Sequence, residues 1–332
     1  MHNDSHGGGA PSVRRGGVAM IIDTAVYTDG RRTVSETIEG ALQGRHSPDS
    51  FACIVLHEPH REELDAIAGA LGVDQVRMEQ AIQHPRRAGI QPFENVLCVW
   101  LACASYPNGE KALQLSWICV LLGEGLVVAL SFDEGLKVLE AVHRRIENRP
   151  DRPWQAPQFI LREIADEVFD GYDDAIQHLQ DDLTDEETAV FDGKSSAGRR
   201  IHTLTRVVVE LHQATEPLGE AFDRLLENAD AEAHKVLSPA RHRIRRVTEK
   251  LDGFRDLLSS LLGLNLTMVG QKISAWGAIL IVPTVIGGIF GMNAKTTYFG
   301  WVHGPYGFDA LLAFMVLLSV VLYLLFKRSG WL

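Results

Sequence analysis

The sequence predicts an α+β, water-facing domain, then long stalk helices, then a two-helix transmembrane hairpin. Three observations predict it. Charge is split along the 332-residue chain: residues 273–332 hold only Lys295, Asp309, Lys327 and Arg328, so the remainder carries −13 of a total of −11. Two apolar runs, Ile273 to Phe290 and Phe308 to Phe326, contain no charge except Asp309 at an edge. They reach the length of about 18 residues at which a bilayer span is expected. From Pro157 onward the apolar periodicity is helical, whereas before it strands and helices alternate.

Residues 1–17 are rich in Gly, Ser and His, lack an apolar core and read as a disordered tail without a signal sequence. The next segment, 18–156, reads as a cytosolic α/β domain. Strands are expected at Val18 to Ile22, Phe51 to Leu56, Val96 to Ala104, Leu113 to Leu122 and Leu126 to Phe132. Amphipathic helices are expected at Arg61 to Leu71, Val73 to Gln83 and Gly135 to Ile146. Cys53, Cys98, Cys103 and Cys119 lie in the apolar runs without a CxxC pair, which predicts buried, reduced thiols. No glycine-rich phosphate loop, HExxH or nucleophile elbow is present, and no nucleophile, base and orienting group can be assembled; an enzyme has the least support.

Residues 157–230 read as an antiparallel helix pair. Within 157–192 stand twelve Asp or Glu against one basic residue, Arg162. The apolar positions Phe159, Ile164, Val168, Tyr172, Ile176 and Leu183 keep helical spacing, so one face packs and the other is carboxylate-rich. That face is either simply solvated or concentrates cations near a pore entrance. Residues 231–272 form a stalk, in which Ser238-Pro239 reads as a helix start, with Ser as N-cap. From Pro239 only Pro283 interrupts helical character before Phe290, a span of roughly 78 Å at ~1.5 Å per residue.

The hairpin divides into a first span at 273–290, a loop at 291–307, a second span at 308–326 and a basic tail at 327–332. Lys250, Arg255 and Lys272 precede the first span and Lys327-Arg328 follow the second, while the loop carries Lys295 alone. The positive-inside rule then places both termini in the cytosol, in a multi-pass protein of the cell (inner) membrane. Along one helical face Gly270, Ser274, Gly277, Ile281, Thr284, Gly288 and Gly291 recur at steps of four and three. Small residues at this spacing permit close helix contact in lipid. They equally suit a pore wall with room for a hydrated ion and an apolar constriction at Ile281. Two spans cannot enclose a water path, so conduction requires a symmetric oligomer.

These residues resemble the CorA metal-ion transporters, including the similar ZntB-type zinc transporters. The resemblance rests on Ile289-Phe290-Gly291-Met292-Asn293 ending the first span, the short outer loop, the second span and the basic end before Trp331-Leu332. Upstream, Gln83-His-Pro-Arg-Arg resembles the family's QRPK stretch and Phe93-Glu-Asn-Val-Leu the strand after it; Arg246-Val-Thr-Glu and Phe254-Arg-Asp-Leu-Leu resemble its stalk. It covers about residues 50–332. The resemblance implies a homopentamer whose first spans line the pore. Gly291 and Met292 would shape the mouth, and Asn293 would receive a hydrated cation. Side-chain amide oxygens suit magnesium, which sheds water reluctantly. The implied cargo is magnesium, with cobalt or nickel besides, and neither a resident cofactor nor a nucleic-acid partner is expected. This chain departs from the family pattern at Glu79-Gln80 and at Ser238-Pro239-Ala-Arg-His242, where the family's intersubunit magnesium-sensing carboxylates would stand. It also has a stalk about seven residues short between Met268 and Lys272, and no Met-Pro-Glu turn in the loop. Weak feedback by inner-side magnesium is therefore expected. The missing sensor carboxylates and His84, His202, His212, His234 and His242 favour zinc as the alternative cargo. A membrane-anchored scaffold or sensor is the reading from another class.

Overall fold

The computed structural model describes residues 20–45, 50–83, 87–93, 95–106, 113–148, 156–193, 197–227, 231–291 and 306–331. The expected tail at 1–17, His84, Met292 and Asn293 lie outside them, as does nearly all of the outer loop. The chain forms two compact units, Met1–Gln180 with Val207–Phe254, and Asp181–Arg206 with Arg255–Leu332.

The first unit is built on a seven-stranded sheet of order β2-β1-β3-β7-β6-β5-β4. Its strands are β1 (Met20–Thr28), β2 (Arg31–Val34), β3 (Ser50–His57), β4 (Gly89–Phe93), β5 (Val96–Ser105), β6 (Gln114–Gly123) and β7 (Leu126–Phe132). Only the β3–β7 pair is parallel. Helices α1 (Ile38–Gly44), α2 (Arg61–Leu71) and α3 (Gln75–Gln83) contribute Ile38, Ile67 and Met78 to a core with Ile54, Trp100, Leu121 and Val128. Each large apolar side chain buried there contributes roughly 1.5–3 kcal/mol. The central strands are covered on both faces, which is why β5 and β7 read as continuous apolar runs.

Helix α4 (Leu136–Glu147) and the first two thirds of α5 (Pro157–Phe191) belong to the same unit. A Cβ at Gly171 would stand 2.9 Å from the Ala104 carbonyl, so only glycine lets α5 lie this close to β5. The neighbouring Tyr172 hydroxyl donates to the Ala102 carbonyl, and Phe169 meets Phe222 of α6 (Ala197–Glu227) edge-on at 6.1 Å.

Five elements depart from the sequence reading. The first strand does not stop at Ile22 but runs to Thr28, because Arg32 of β2 neutralises the buried Asp23 at 2.6 Å and a register shift between Ile21 and Asp23 accommodates the polar residue. Strands β2 and β4 and helix α1 also form; both strands are sheet edges, and β4 contains Pro92, tolerated where ladder bonds face outward. Ser238-Pro239 does not begin a helix. Helix α7 spans Ala231–Gly291, with Pro239 inside it. An interior proline costs about 3 kcal/mol, and the apolar face running through Val236, Leu237, Ala240, Ile244, Val247 and Leu251, all buried, offsets it.

The four cysteines are free and buried. Cys98 and Cys119 are diagonal neighbours on β5 and β6 with sulfurs 3.5 Å apart, a thiol hydrogen bond and not a disulfide. Burial pushes the Cys103 thiol up to about 12, the Ser116 hydrogen bond opposing it, and raises Cys53 beyond the thiol range.

In the second unit Gly193, two residues past the end of α5, has a φ of +67° that suits a residue without Cβ; its N–H donates to Val190 O at 2.9 Å. The Lys272 ammonium donates to the Gly193 carbonyl at 3.2 Å. Glu186, fully buried, is paired by Arg200 at 2.7 Å.

Candidate pore-lining helix

The membrane half of α7 has two faces of different character. Ala275 and Ile279 are buried, and Val282 and Ile286 half-buried, at the period of one helix turn. This face lies toward α8 (Gly307–Arg328), as the Trp276–Tyr323 ring contact at 6.4 Å records. The predicted stripe occupies the opposite face. Gly270, Ser274, Gly277, Ile281, Thr284, Gly288 and Gly291 are all exposed, and Ile281 stands 60% open.

A Cβ placed on Gly270, Gly277, Gly288 or Gly291 would meet nothing within 4 Å. Among the described residues, nothing requires these positions to be small. Contact with α8, the simplest structural reason for such a stripe, is thereby removed. The Thr284 hydroxyl donates to the Leu280 carbonyl at 2.8 Å, which settles its proton and leaves its lone pairs on the open face. One residue earlier, Pro283 has no N–H to give to the Ile279 carbonyl four residues back. The stripe and this altered rung sit together; Met292 and Asn293, which follow directly in sequence, lie outside the described residues.

Both hairpin helices present bulk apolar side chains outward, among them Ile273, Leu280, Leu317 and Leu324. The most apolar 18-residue window has mean hydropathy 2.0 in α7 and 2.5 in α8, with 11% and none of it buried. Surfaces this apolar are stable against lipid, not water.

The acidic helix is partly neutralised in a way the sequence did not reveal. Arg243 of α7 reaches Asp170 and Asp173 of α5 at 2.7 Å each and the Asp166 carboxylate at 3.6 Å, and donates to the Asp166 carbonyl. Arg145 of α4 pairs with Glu167 and, at 3.3 Å, Asp170. Burial opposes the charge of Arg243, but its bonds to Asp173 and Asp170 outweigh burial and hold the guanidinium above its ordinary value. Asp174, Asp181, Asp185 and Glu187 remain exposed.

At the positions of the family's sensor carboxylates, Gln80, Pro239 and His242 are exposed. Glu79 pairs loosely with Arg61 at 3.5 Å. His212 lies 3.1 Å from Asp252. Among the described residues, no three of His, Cys, Asp and Glu gather into a metal-ligand group.

An α/β domain followed by a long helix and a hairpin of two apolar helices defines a membrane protein. The CorA-like Mg2+ transporter protein family matches residues 49–328, and the chain belongs to it. That family comprises transporters rather than enzymes. The sequence is 26% identical to the cobalt/magnesium transport protein CorA of Thermotoga maritima over 290 residues, 82% of this chain and 81% of that one. The fold is similar to the complete structure of the CorA magnesium transporter from Methanocaldococcus jannaschii, with TM-score 0.59, 17% identity, and coverage of 94% of this chain and 100% of that one. It is also similar to the full-length CmaX protein, with TM-score 0.64, 16% identity, and coverage of 94% and 98%.

Proposed function

We propose that this chain moves divalent metal cations, magnesium foremost and cobalt or nickel besides, through a pore lined by the exposed face of α7. The observation that carries the reading is that the small-residue stripe is exposed and that, among the described residues, a Cβ added at its glycines would meet nothing. Several copies, five by resemblance to the family, would bring the stripes together around one axis. In that ring Gly270, Ser274, Gly277, Thr284 and Gly288 leave room for water around the ion, and Ile281 narrows the path with an apolar collar. Asn293 offers amide oxygens to the hydrated ion at the outer mouth, presented by Gly291 and Met292. Spans at 273–290 and 308–326, with both termini in the cytosol, fit the placement of basic residues. The exposed carboxylates of α5 raise the local cation concentration. The name of the T. maritima relative, a cobalt/magnesium transport protein, supports this cargo.

Uptake of magnesium, cobalt and zinc by liposomes holding the full chain tests the reading. Asn293→Ala is expected to lower magnesium flux at least about tenfold, the scale of a lost ring of charge-binding groups. Unchanged flux removes Asn293 from the mechanism. Inner-side magnesium is expected to inhibit weakly, because Gln80, Pro239 and His242 cannot supply sensor carboxylates; strong millimolar closure contradicts this. Zinc carried in preference to magnesium selects the zinc-transporter alternative. No flux of any metal, with a monomer in detergent, selects the scaffold.

A further inference from the structure

A second feature of the hairpin lies on the side that the stripe does not use. Between α7 and α8 runs a groove of about 480 Å3. Ile279 and Pro283 line it from α7, and Leu312, Met315 and Val316 from α8, so its length is apolar. One end is different. There Trp276 meets Tyr323, and the Lys327 ammonium stands 5.8 Å from the centre of the Tyr323 ring, with Arg328 next in the chain. Trp331, just past α8, stacks on Phe326 at 5.5 Å. The groove is thus apolar inside and ends on two aromatic rings and the Lys327 ammonium, with Arg328 following in sequence.

We propose that this groove holds an anionic phospholipid, its acyl chain along Ile279, Pro283 and Met315 and its headgroup phosphate at Lys327 and Arg328. Length and charge both favour this occupant. From Trp276 to Pro283 α7 rises about 10 Å and from Tyr323 to Leu312 α8 rises about 16 Å, a length that matches the ~15 Å of one leaflet's hydrocarbon. Aromatic side chains seat at the headgroup level, and basic residues beside a span attract anionic lipids. A second helix filling the groove would bury Lys327 beside it without an acid among its lining residues. The inference rests on the membrane placement but not on which ion is carried.

The test uses the full chain in vesicles, with Trp301→Phe and Trp331→Phe so that Trp276 is the indole at the groove. Phosphatidylcholine vesicles receive increasing amounts of dibrominated phosphatidylglycerol or dibrominated phosphatidylcholine, and tryptophan quenching is read. Half-maximal quenching is expected at an about tenfold lower fraction of the anionic lipid, the scale set by two basic side chains at an anionic surface. Lys327→Gln with Arg328→Gln should bring the two curves together. Tyr323→Leu keeps both charges, and with them the insertion signal, and should still narrow the gap to about half on a logarithmic scale. Coincident curves in the parent protein mean unselective boundary lipid and overturn the proposal. Absence of quenching by either lipid means that a second copy of the chain fills the groove, and overturns it equally. Magnesium uptake by the same vesicles separates this result from a failure of the transport reading.

Discussion

Helix α5 and the membrane half of α7 each carry an unusual residue pattern, and the fold treats them oppositely. Four carboxylates in the first half of α5 find partners within the chain: Arg145 and Arg243 take up Asp166, Glu167, Asp170 and Asp173. The small residues of α7 find none, since added Cβ atoms at Gly270, Gly277 and Gly288 touch nothing. A pattern satisfied inside the chain explains itself as structure. A pattern left open asks for something outside it, which under the proposed function is other copies of the helix and a path for ions.

The sharpest way to break this contrast is Gly277→Leu. The chain offers open space there, so helix content and melting of the α/β unit should not change, while magnesium uptake should fall at least about tenfold if copies meet at this face. Normal flux would return the stripe to ornament. The converse change, Arg243→Met, should leave insertion intact but lower stability by about 1–2 kcal/mol, read as the midpoint of denaturant unfolding; half-exposed Asp170 and Asp173 keep the loss small through solvent screening. A loss confined to flux would instead place Arg243 in the transport path. The smallest effect concerns alkaline pH. The Cys103 thiol is raised in the folded state to about 12 from 9.0. Its stabilising contribution is therefore complete below pH 9 and is lost as pH rises from there toward 12. Cys103→Ala should flatten the fall of the melting temperature between pH 9 and 10.5; an unaltered slope would assign the alkaline sensitivity to other groups.

Much of the architecture was legible because lipid imposes long uncharged runs, and buried central strands such as β5 and β7 read as apolar blocks. The stripe was legible as a helical period, but not its orientation, which depends on where α8 packs. Strands β2 and β4 escaped because edge strands need only one polar-tolerant face, and four residues such as Arg31 to Val34 carry no period. Strand β1 was cut short because Asp23 looks like a breaker until Arg32 is seen beside it. The Arg243 clamp joins residues 70 to 77 apart in sequence. One signal did point to it: a surplus of eleven acidic charges over residues 157–192 must find cations somewhere. Pro239 misled because a Ser-Pro pair opens helices by local chemistry, whereas here the packed face on both sides of it prevails.

Pro283 divides α7 without ending it. With the rung between residues 279 and 283 missing, the helix resists bending least there. The eight residues from Thr284 to Gly291 form a short rod of their own, and that rod carries the outer part of the stripe. In the ring proposed above, such rods would tilt about this joint while the longer shafts stay put. The bore at the mouth would then be adjustable independently of the bore at Ile281, and selection of an ion and closure of the path need not be one motion.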